Sequence, residues 1–334
     1  MARAIAAGVL LAWLACAGLA EGRAQSPPPE VIDLAPVVVS GVQPGPGMWQ
    51  VRNAQGHTLW ILGTVSPLPA RLDWRADEVE AVIASADAIL GSPGWSLDAD
   101  VGFFGRLTLL PSAMKAAHDP EGRRLQEILP ADLYARWQPL KQRYLGRGDG
   151  VEKDRPLVAA TRLYAAALDE VGLTPRSGVG KQLSKAYKRR GLTPVLTKVE
   201  IKVDDPRKAL KEVRASTLQD VTCLQRTLDV VEHQLPLLVE RANAWAVGDT
   251  EALQQLALKS QYDACVGAIA SSELGQRRGM TQLDARASAK WLAAARDALA
   301  RHPVTFATVP VHSLVEPGGY LDRLRQAGYA VQSP

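Results

Sequence analysis

The sequence is poor in cysteine, in aromatic residues and in long apolar segments, and each shortage excludes a class of protein. Three cysteines in 334 residues are too few for a disulfide-rich scaffold, and no Cys-x-x-Cys pair is present to indicate a redox or structural zinc site. Aromatic residues make up only 5% of the chain. What remains, 47% hydrophobic and 22% charged residues, is the composition of an ordinary globular protein.

A formal net charge of +4 accompanies one dense basic run. Nucleic-acid binding normally uses a broader basic face with interleaved aromatic residues, whereas only Tyr187 interrupts this run. We therefore expect a solvated helix face and no nucleic-acid partner. The basic residues of the run are Lys181, Lys185, Lys188, Arg189 and Arg190.

The one long apolar run lies at the N-terminus and predicts a signal peptide over residues 1–24. Arg3 precedes an unbroken apolar segment at residues 4–20, which is shorter than the roughly 20 residues that a spanning helix needs. Small residues offer cleavage after Ala20 or after Ala24. No later segment is long enough to span a membrane, so we expect a mature chain without a membrane span, in the periplasm or secreted.

Removal of the signal peptide would leave two cysteines, Cys223 and Cys265. In an oxidising compartment such a pair favours a disulfide, and two buried free thiols are the alternative. The bridge would close a loop worth roughly 4 kcal/mol in the chain-entropy model.

The rest of the chain predicts a Pro- and Gly-rich linker at residues 25–47 and one domain at residues 48–333. Apolar strands lie near both ends of this domain, helical periodicity fills most of its middle, and Thr193 to Val203 reads as a further strand. We expect an α/β (α+β) fold in which the N- and C-terminal strands form a mixed sheet and residues from about 101 to 300 form a helical insertion or cap.

Motifs at several strand ends resemble those of a known family. Leu62-Gly63-Thr64 ends one apolar strand, and Val304 to Val309 leads into His312-Ser313-Leu314. A helix leads into an Ala-Asp strand at residues 86–90, and the chain closes with Gly-Tyr-Ala-Val at residues 328–331. In this order and spacing the segments resemble the TraB/GumN family, whose best-understood relatives are metal-dependent proteases with paired Gly-x-x-His strands.

The resemblance also shows which family positions are replaced. Ser66 stands at the first histidine position, and Val309 at the glycine position of the second motif. The acidic residue that ends the family's Ala-Asp strand corresponds to Ser92. Two polar positions of the family pattern remain, His312 and Glu200. The resemblance therefore implies His312 and Glu200 as catalytic candidates.

The same resemblance implies that a cleft lies at the strand ends. A catalytic zinc normally has three protein ligands, and one imidazole, one carboxylate and serine hydroxyls are too few, so we expect no metal cofactor. The alternative is one divalent metal, zinc or manganese, with His312 as a ligand. The expected cleft-lining residues are Gly63, Thr64, Ser66, Ser92 and Ser313.

Each of these residues also has an ordinary structural interpretation. His312 fits a hydrogen-bonded histidine, Glu200 a strand residue paired with a neighbouring lysine, and the hydroxyls of Thr64 and Ser66 fit caps of a turn. His57 stands at a hairpin turn, where a structural role is favoured over a role as a substitute ligand.

Three functions remain open. The leading hypothesis is an exported, degenerate metallohydrolase that binds a peptide, protein or glycan in the old cleft and is not an enzyme. The second is an active metal-dependent peptidase with an altered ligand set, in which Ser66 positions water. The third is an envelope-assembly partner that uses its helical middle as an interaction surface. Exposed apolar residues on the helix at 207–235 would favour this hypothesis, and an apolar stripe packed in the core would not.

Overall fold

The two ends of the chain form a five-stranded mixed sheet. A computed structural model describes residues 45–334, except residues 73, 100, 217–219 and 257–260, so the expected signal peptide and most of the expected linker lie outside the described residues. The strands are β1 (Met48–Arg52), β2 (Thr58–Thr64), β3 (Leu68–Pro69), β4 (Ala88–Leu90), β5 (Trp95–Asp98), β6 (Leu173–Thr174), β7 (Val199–Lys202), β8 (Val304–Pro310) and β9 (Ala330–Gln332).

The order of the main sheet is β4-β8-β2-β1-β9. Strands β4, β8 and β2 are parallel, with Thr64 opposite Pro310 and Leu90 opposite Ala307, whereas β1 is antiparallel to both of its neighbours. The predicted mixed sheet of N- and C-terminal strands is confirmed. Because β2, β4 and β8 run the same way, they finish at one end of the sheet, which we name the carboxyl edge.

Helices make up most of the chain between β5 and β8, and further helices lie before β4 and after β8. They are α1 (Asp77–Ser85), α2 (Phe103–Ala117), α3 (Leu125–Ile128), α4 (Ala131–Tyr144), α5 (Pro156–Glu170), α6 (Val179–Arg190), α7 (Pro206–Ala215), α8 (Asp220–His233), α9 (Leu235–Val247), α10 (Thr250–Gln255), α11 (Gln261–Ala270), α12 (Glu273–Arg277), α13 (Leu283–Arg301), α14 (Val311–Val315) and α15 (Tyr320–Gln326), with a 3-10 helix at Gly150–Lys153. None of the described helices is long and apolar enough to cross a membrane.

The central strands carry long apolar runs because both faces of the sheet are covered. In β8 the residues from Thr305 to Val309 are all buried, and α13 contacts β2, β4 and β8. On α6, the ring of Tyr187 lies 6.1 Å from that of Phe306. The sheet therefore forms the base on which the helical middle is packed.

Two segments differ from regular, continuous elements. Helices α3 and α4 are separate because Leu129 is extended before Pro130, as residues before proline usually are. The strand expected at residues 193–203 is shorter. Val195 forms only an isolated bridge with Leu90, and the regular strand is β7, which pairs with β5 in a separate two-stranded sheet.

In the segment at residues 207–235, where the apolar residues could be either exposed or packed, those of α8 form a stripe that is packed inside the protein. Leu224, Leu228 and Val231 of α8 are buried, and so is Leu235 at the start of α9. The expected disulfide is also present, since Cys223 of α8 is bonded to Cys265 of α11 across a sequence separation of 42 residues.

Candidate functional site

The carboxyl edge brings together the strand ends that the sequence singled out. Thr64 is the last residue of β2, and Ser66 lies exposed in the following turn. Ser92 follows β4, and His312 and Ser313 lie half-buried in α14, directly after β8. This convergence follows from the parallel direction of the three strands, and the carboxyl ends of parallel strands are where ligands bind in open α/β sheets.

Glycine is needed at position 63 because two other residues pack against its α-carbon. A side chain there would place its Cβ 2.6 Å from the ring of Trp49 and 2.7 Å from a methyl group of Val311. Gly63 is itself buried. The Gly-Thr corner thus lets α14, which carries His312, lie directly on the end of β2.

Side chains from distant helices hold the backbone of the carboxyl edge. The Nε1–H of Trp245, in α9, donates to the carbonyl of Gly63 at 2.8 Å. Four residues earlier in the same helix, the buried Arg241 donates to the carbonyl of Ser66 at 2.7 Å. The Nε1–H of Trp291, in α13, donates to the carbonyl of Gly91 at 3.1 Å. These donors therefore bond backbone carbonyls at or just beyond the ends of β2 and β4.

Arg241 and Trp245 were missed by sequence reasoning, although α9 carries a signal for them. An arginine one helical turn before a tryptophan interrupts the apolar residues of α9, which include Leu235 and Leu238. Burial raises the pKa of Tyr164 to about 12, and the nearby guanidinium of Arg241 acts in the opposite direction. The helices behind the edge therefore hold a positively charged group beside a neutral phenol.

A pocket of about 190 Å³ opens at the carboxyl edge. It is bounded by the ends of β2, β4 and β8, by the N-terminal half of α6 and by Trp245. Because the indole N–H of Trp245 is bonded to Gly63, this residue adds apolar surface to the lining. The lining combines apolar side chains with hydroxyl groups and carries no ionisable side chain: Thr64, Val65, Leu68, Ser92, Ser177, Val179, Gly180, Leu183, Trp245 and Thr308.

Two hydroxyl groups are bonded to each other in the pocket wall. The Oγ of Ser92 lies 2.6 Å from the Oγ1 of Thr308, and either group can be the donor. Ser92 occupies the position where the family resemblance implies an acidic residue. The pocket wall therefore carries a neutral, hydrogen-bonded pair of hydroxyl groups at this point.

Glu200 and His57 lie apart from this pocket. Glu200 is exposed in β7, while the flanking residues Val199 and Ile201 are buried against α13, and it does not line the pocket. His57 precedes β2, and its Nδ1 lies 2.8 Å from the carbonyl of Leu299. Because β2 is seven residues long, His57 is separated from the carboxyl edge by about 20 Å.

The residues at the carboxyl edge do not fit a catalytic zinc ion. Among the described residues, no group of three or more His, Cys, Asp or Glu side chains is arranged to hold a metal. The edge itself provides one imidazole, from His312, together with hydroxyl groups. Catalytic zinc sites normally use three nitrogen, sulfur or carboxylate ligands, so this donor set falls short.

The comparison with protein families gives one match. The model of the TraB/PrgY/gumN family matches residues 47–333, which include the strands of the main sheet and the helices packed on them. No significant match was found among curated proteins or among solved structures.

Proposed function

The chain belongs to the TraB/PrgY/gumN family, and from this premise we propose that it is an exported binding protein that holds a peptide at the carboxyl edge without cleaving it. The observation that carries the proposal is the pocket at the carboxyl edge, whose lining carries no ionisable side chain. The peptide would lie across the strand ends and insert one uncharged side chain between Trp245 and α6.

The chemistry of the lining supports an uncharged side chain. Val65, Leu68, Val179 and Leu183 provide apolar surface, and burying an aliphatic side chain against such surface contributes about 1.5–3 kcal/mol. A carboxylate or ammonium group would lose its hydration without gaining an opposite charge in this lining, which is costly. Hydroxyl groups such as that of Thr64 remain to accept from or donate to the peptide backbone.

The lack of a ligand set supports binding without hydrolysis. Peptide hydrolysis by this family's relatives depends on a metal that activates water and polarises the carbonyl. With Ser66 and Ser92 at two of the family positions and Glu200 outside the pocket, His312 is the remaining strong donor at the edge. An active peptidase with an altered ligand set is therefore the second candidate.

Two features support export. The N-terminal apolar segment has the pattern of a signal peptide, and the Cys223–Cys265 disulfide suits an oxidising compartment. The packed apolar stripe of α8 counts against the role in envelope assembly, which would need that stripe exposed.

Binding is tested on chain that lacks residues 1–24 and carries no histidine tag. The protein is passed over immobilised short peptides that differ at one central residue. Peptides with a central leucine or valine should bind the protein, and peptides with a central aspartate or lysine should not. Ser177→Trp should fill the pocket and weaken capture at least tenfold, because Ser177 lines it from a half-exposed loop position. Ser184→Trp, on the exposed side of α6, is the matched control and should bind normally.

Metal content and peptide cleavage decide between the two candidate functions. Plasma mass spectrometry on the same protein should show no stoichiometric zinc or manganese, and the captured peptide should remain intact. Stoichiometric metal that disappears in His312→Ala, together with cleavage that disappears in parallel, would instead establish the active peptidase.

A further inference from the structure

Helix α2 exposes three large apolar residues on one face. Leu107, Leu110 and Met114 have 53%, 56% and 60% of their surface exposed, and their spacing of three and four residues places them on one face. On the other side of the helix, Ala116 is buried and Ala113 is half-buried. A helix that only covered a core would have the opposite arrangement.

Helix α7 packs against α2 and exposes positive charge. Four basic residues are exposed on its solvent-facing side, Arg207, Lys208, Lys211 and Arg214. Glu212, on the inner side, is bonded to Arg278 at 2.5 Å and does not offset the exposed charge. On α2, Lys115 follows Met114 and is also exposed. We name these residues the α2–α7 surface: Leu107, Leu110, Met114, Lys115, Arg207, Lys208, Lys211 and Arg214.

One buried residue fastens both helices to the body of the protein. The backbone N–H of Arg155 donates to the carbonyl of Ala117, the last residue of α2. Its guanidinium donates to the carbonyls of Val213 and Ser216, at the end of α7, at 2.7 and 3.1 Å. The guanidinium of Arg155 also donates to the carboxylate of Asp220 at 2.7 Å, and both residues are buried. The α2–α7 surface is therefore presented by a fixed pair of helices.

We propose that the α2–α7 surface binds the surface of an anionic phospholipid bilayer. Exposed leucine and methionine side chains on one face of a helix insert into the boundary between headgroups and acyl chains. Lysine and arginine beside them remain at the level of the phosphates, because their long aliphatic stems reach the interface while the charged ends stay in water. The combination of apolar stripe and exposed cations is complementary to an anionic bilayer, and the binding is peripheral.

Both halves of the α2–α7 surface contribute to binding. Each basic residue near an anionic membrane strengthens binding roughly fivefold at ordinary ionic strength, and the effect falls within a Debye length. Uncharged lipid would leave only the apolar insertion. The attachment is therefore expected to need anionic lipid and to weaken as salt is added.

Vesicle co-sedimentation tests the proposal on the chain without residues 1–24. Vesicles of equal parts phosphatidylglycerol and phosphatidylcholine are compared with vesicles of phosphatidylcholine alone, and only the former should pellet the protein. Replacing Leu107, Leu110 and Met114 together by Gln should weaken binding at least tenfold, and so should Arg207→Gln, Lys211→Gln and Arg214→Gln together. Circular dichroism checks that both variants remain folded.

Variants elsewhere on the surface separate this binding from general attraction of a basic protein. Lys181→Gln, Lys185→Gln and Lys188→Gln remove the same number of exposed charges from α6 and should leave vesicle binding almost unchanged. Equal losses from the α6 and α7 variants would overturn the proposal. Failure of the protein to pellet with anionic vesicles would also overturn the proposal. If such a protein instead self-associates, and the α2 variant abolishes that self-association, a second copy of the chain covers this surface.

Discussion

The carboxyl edge and the α2–α7 surface use helices in opposite ways. At the edge, Trp245 and Arg241 of α9 reach inward and bond the backbone carbonyls of Gly63 and Ser66. At the α2–α7 surface, the large side chains point outward and the helices are held from beneath by Arg155. The difference teaches that the backbone of the edge is held by side chains from distant helices, and not by the serine and histidine side chains that the family resemblance singled out.

Replacement of Trp245 by alanine should have the largest effect on stability. Trp245 is fully buried, so truncation leaves a cavity and also removes the donor from the Gly63 carbonyl, and together these should lower the free energy of unfolding by about 5 kcal/mol. Denaturation in urea measures the loss. Val247→Ala, at an exposed position of the same helix, is the control and should change little. A loss below about 1 kcal/mol for Trp245→Ala would mean that the indole does not hold the edge.

Removal of the disulfide should have the next largest effect. Replacing both Cys223 and Cys265 by alanine frees a loop of 42 residues and should lower the free energy of unfolding by about 4 kcal/mol. Asp220, which binds the Arg155 side chain that holds α7, lies three residues before Cys223 in α8. Loss of the disulfide should therefore also weaken the attachment of α7. Reduced wild-type protein should unfold at the same denaturant concentration as the double variant. Equal stability of oxidised and reduced wild type would show that the bridge constrains little.

Alkaline pH should affect the region behind the carboxyl edge through Tyr164. Burial raises its pKa from 10.0 to about 12, so the unfolded chain loses this proton at lower pH than the folded protein. Stability is therefore lost as pH rises from 10 to 12, by as much as about 2 kcal/mol.

The variant Tyr164→Phe isolates this contribution. The variant should lose less free energy of unfolding between pH 10 and pH 12 than the wild type. Urea denaturation of both proteins at the two pH values measures this difference. Ultraviolet titration of the phenolate in folded protein checks the pKa directly. A phenol that titrates near pH 10 would show that Tyr164 is solvated.

The sequence was most informative where local pattern decides structure. Parallel strands ending at Thr64, Leu90 and Pro310 had to bring Ser66, Ser92 and His312 to one edge, and the mixed sheet followed from strands at both chain ends. It was least informative about contacts made by the helical middle. The bond from Trp245 to Gly63 joins residues 182 apart in sequence, and no local periodicity encodes it.

The orientation of α2 was also beyond prediction, for a different reason. Apolar residues occur on both of its faces, so periodicity alone does not say which face turns outward. The predicted single strand over residues 193–203 was wrong in extent because the chain passes from the edge of β4 to a separate pairing with β5. In both cases the local sequence pattern is compatible with more than one arrangement, and tertiary packing selects one of them.

The smallest effect on stability should come from the most drastic change on the α2–α7 surface. Replacing Leu107, Leu110 and Met114 together by Gln keeps helix propensity and removes side chains that are more than half exposed. The free energy of unfolding should therefore change by less than about 1 kcal/mol, far less than for the single change at Trp245. Leu109→Gln, on the half-buried side of the same helix, should cost more than the triple variant, because it places an amide against packed neighbours. If the triple variant instead loses several kcal/mol, its three side chains are packed against protein in solution. The contrast between an inward-reaching α9 and an outward-facing α2 would then fail, and the membrane-binding surface with it.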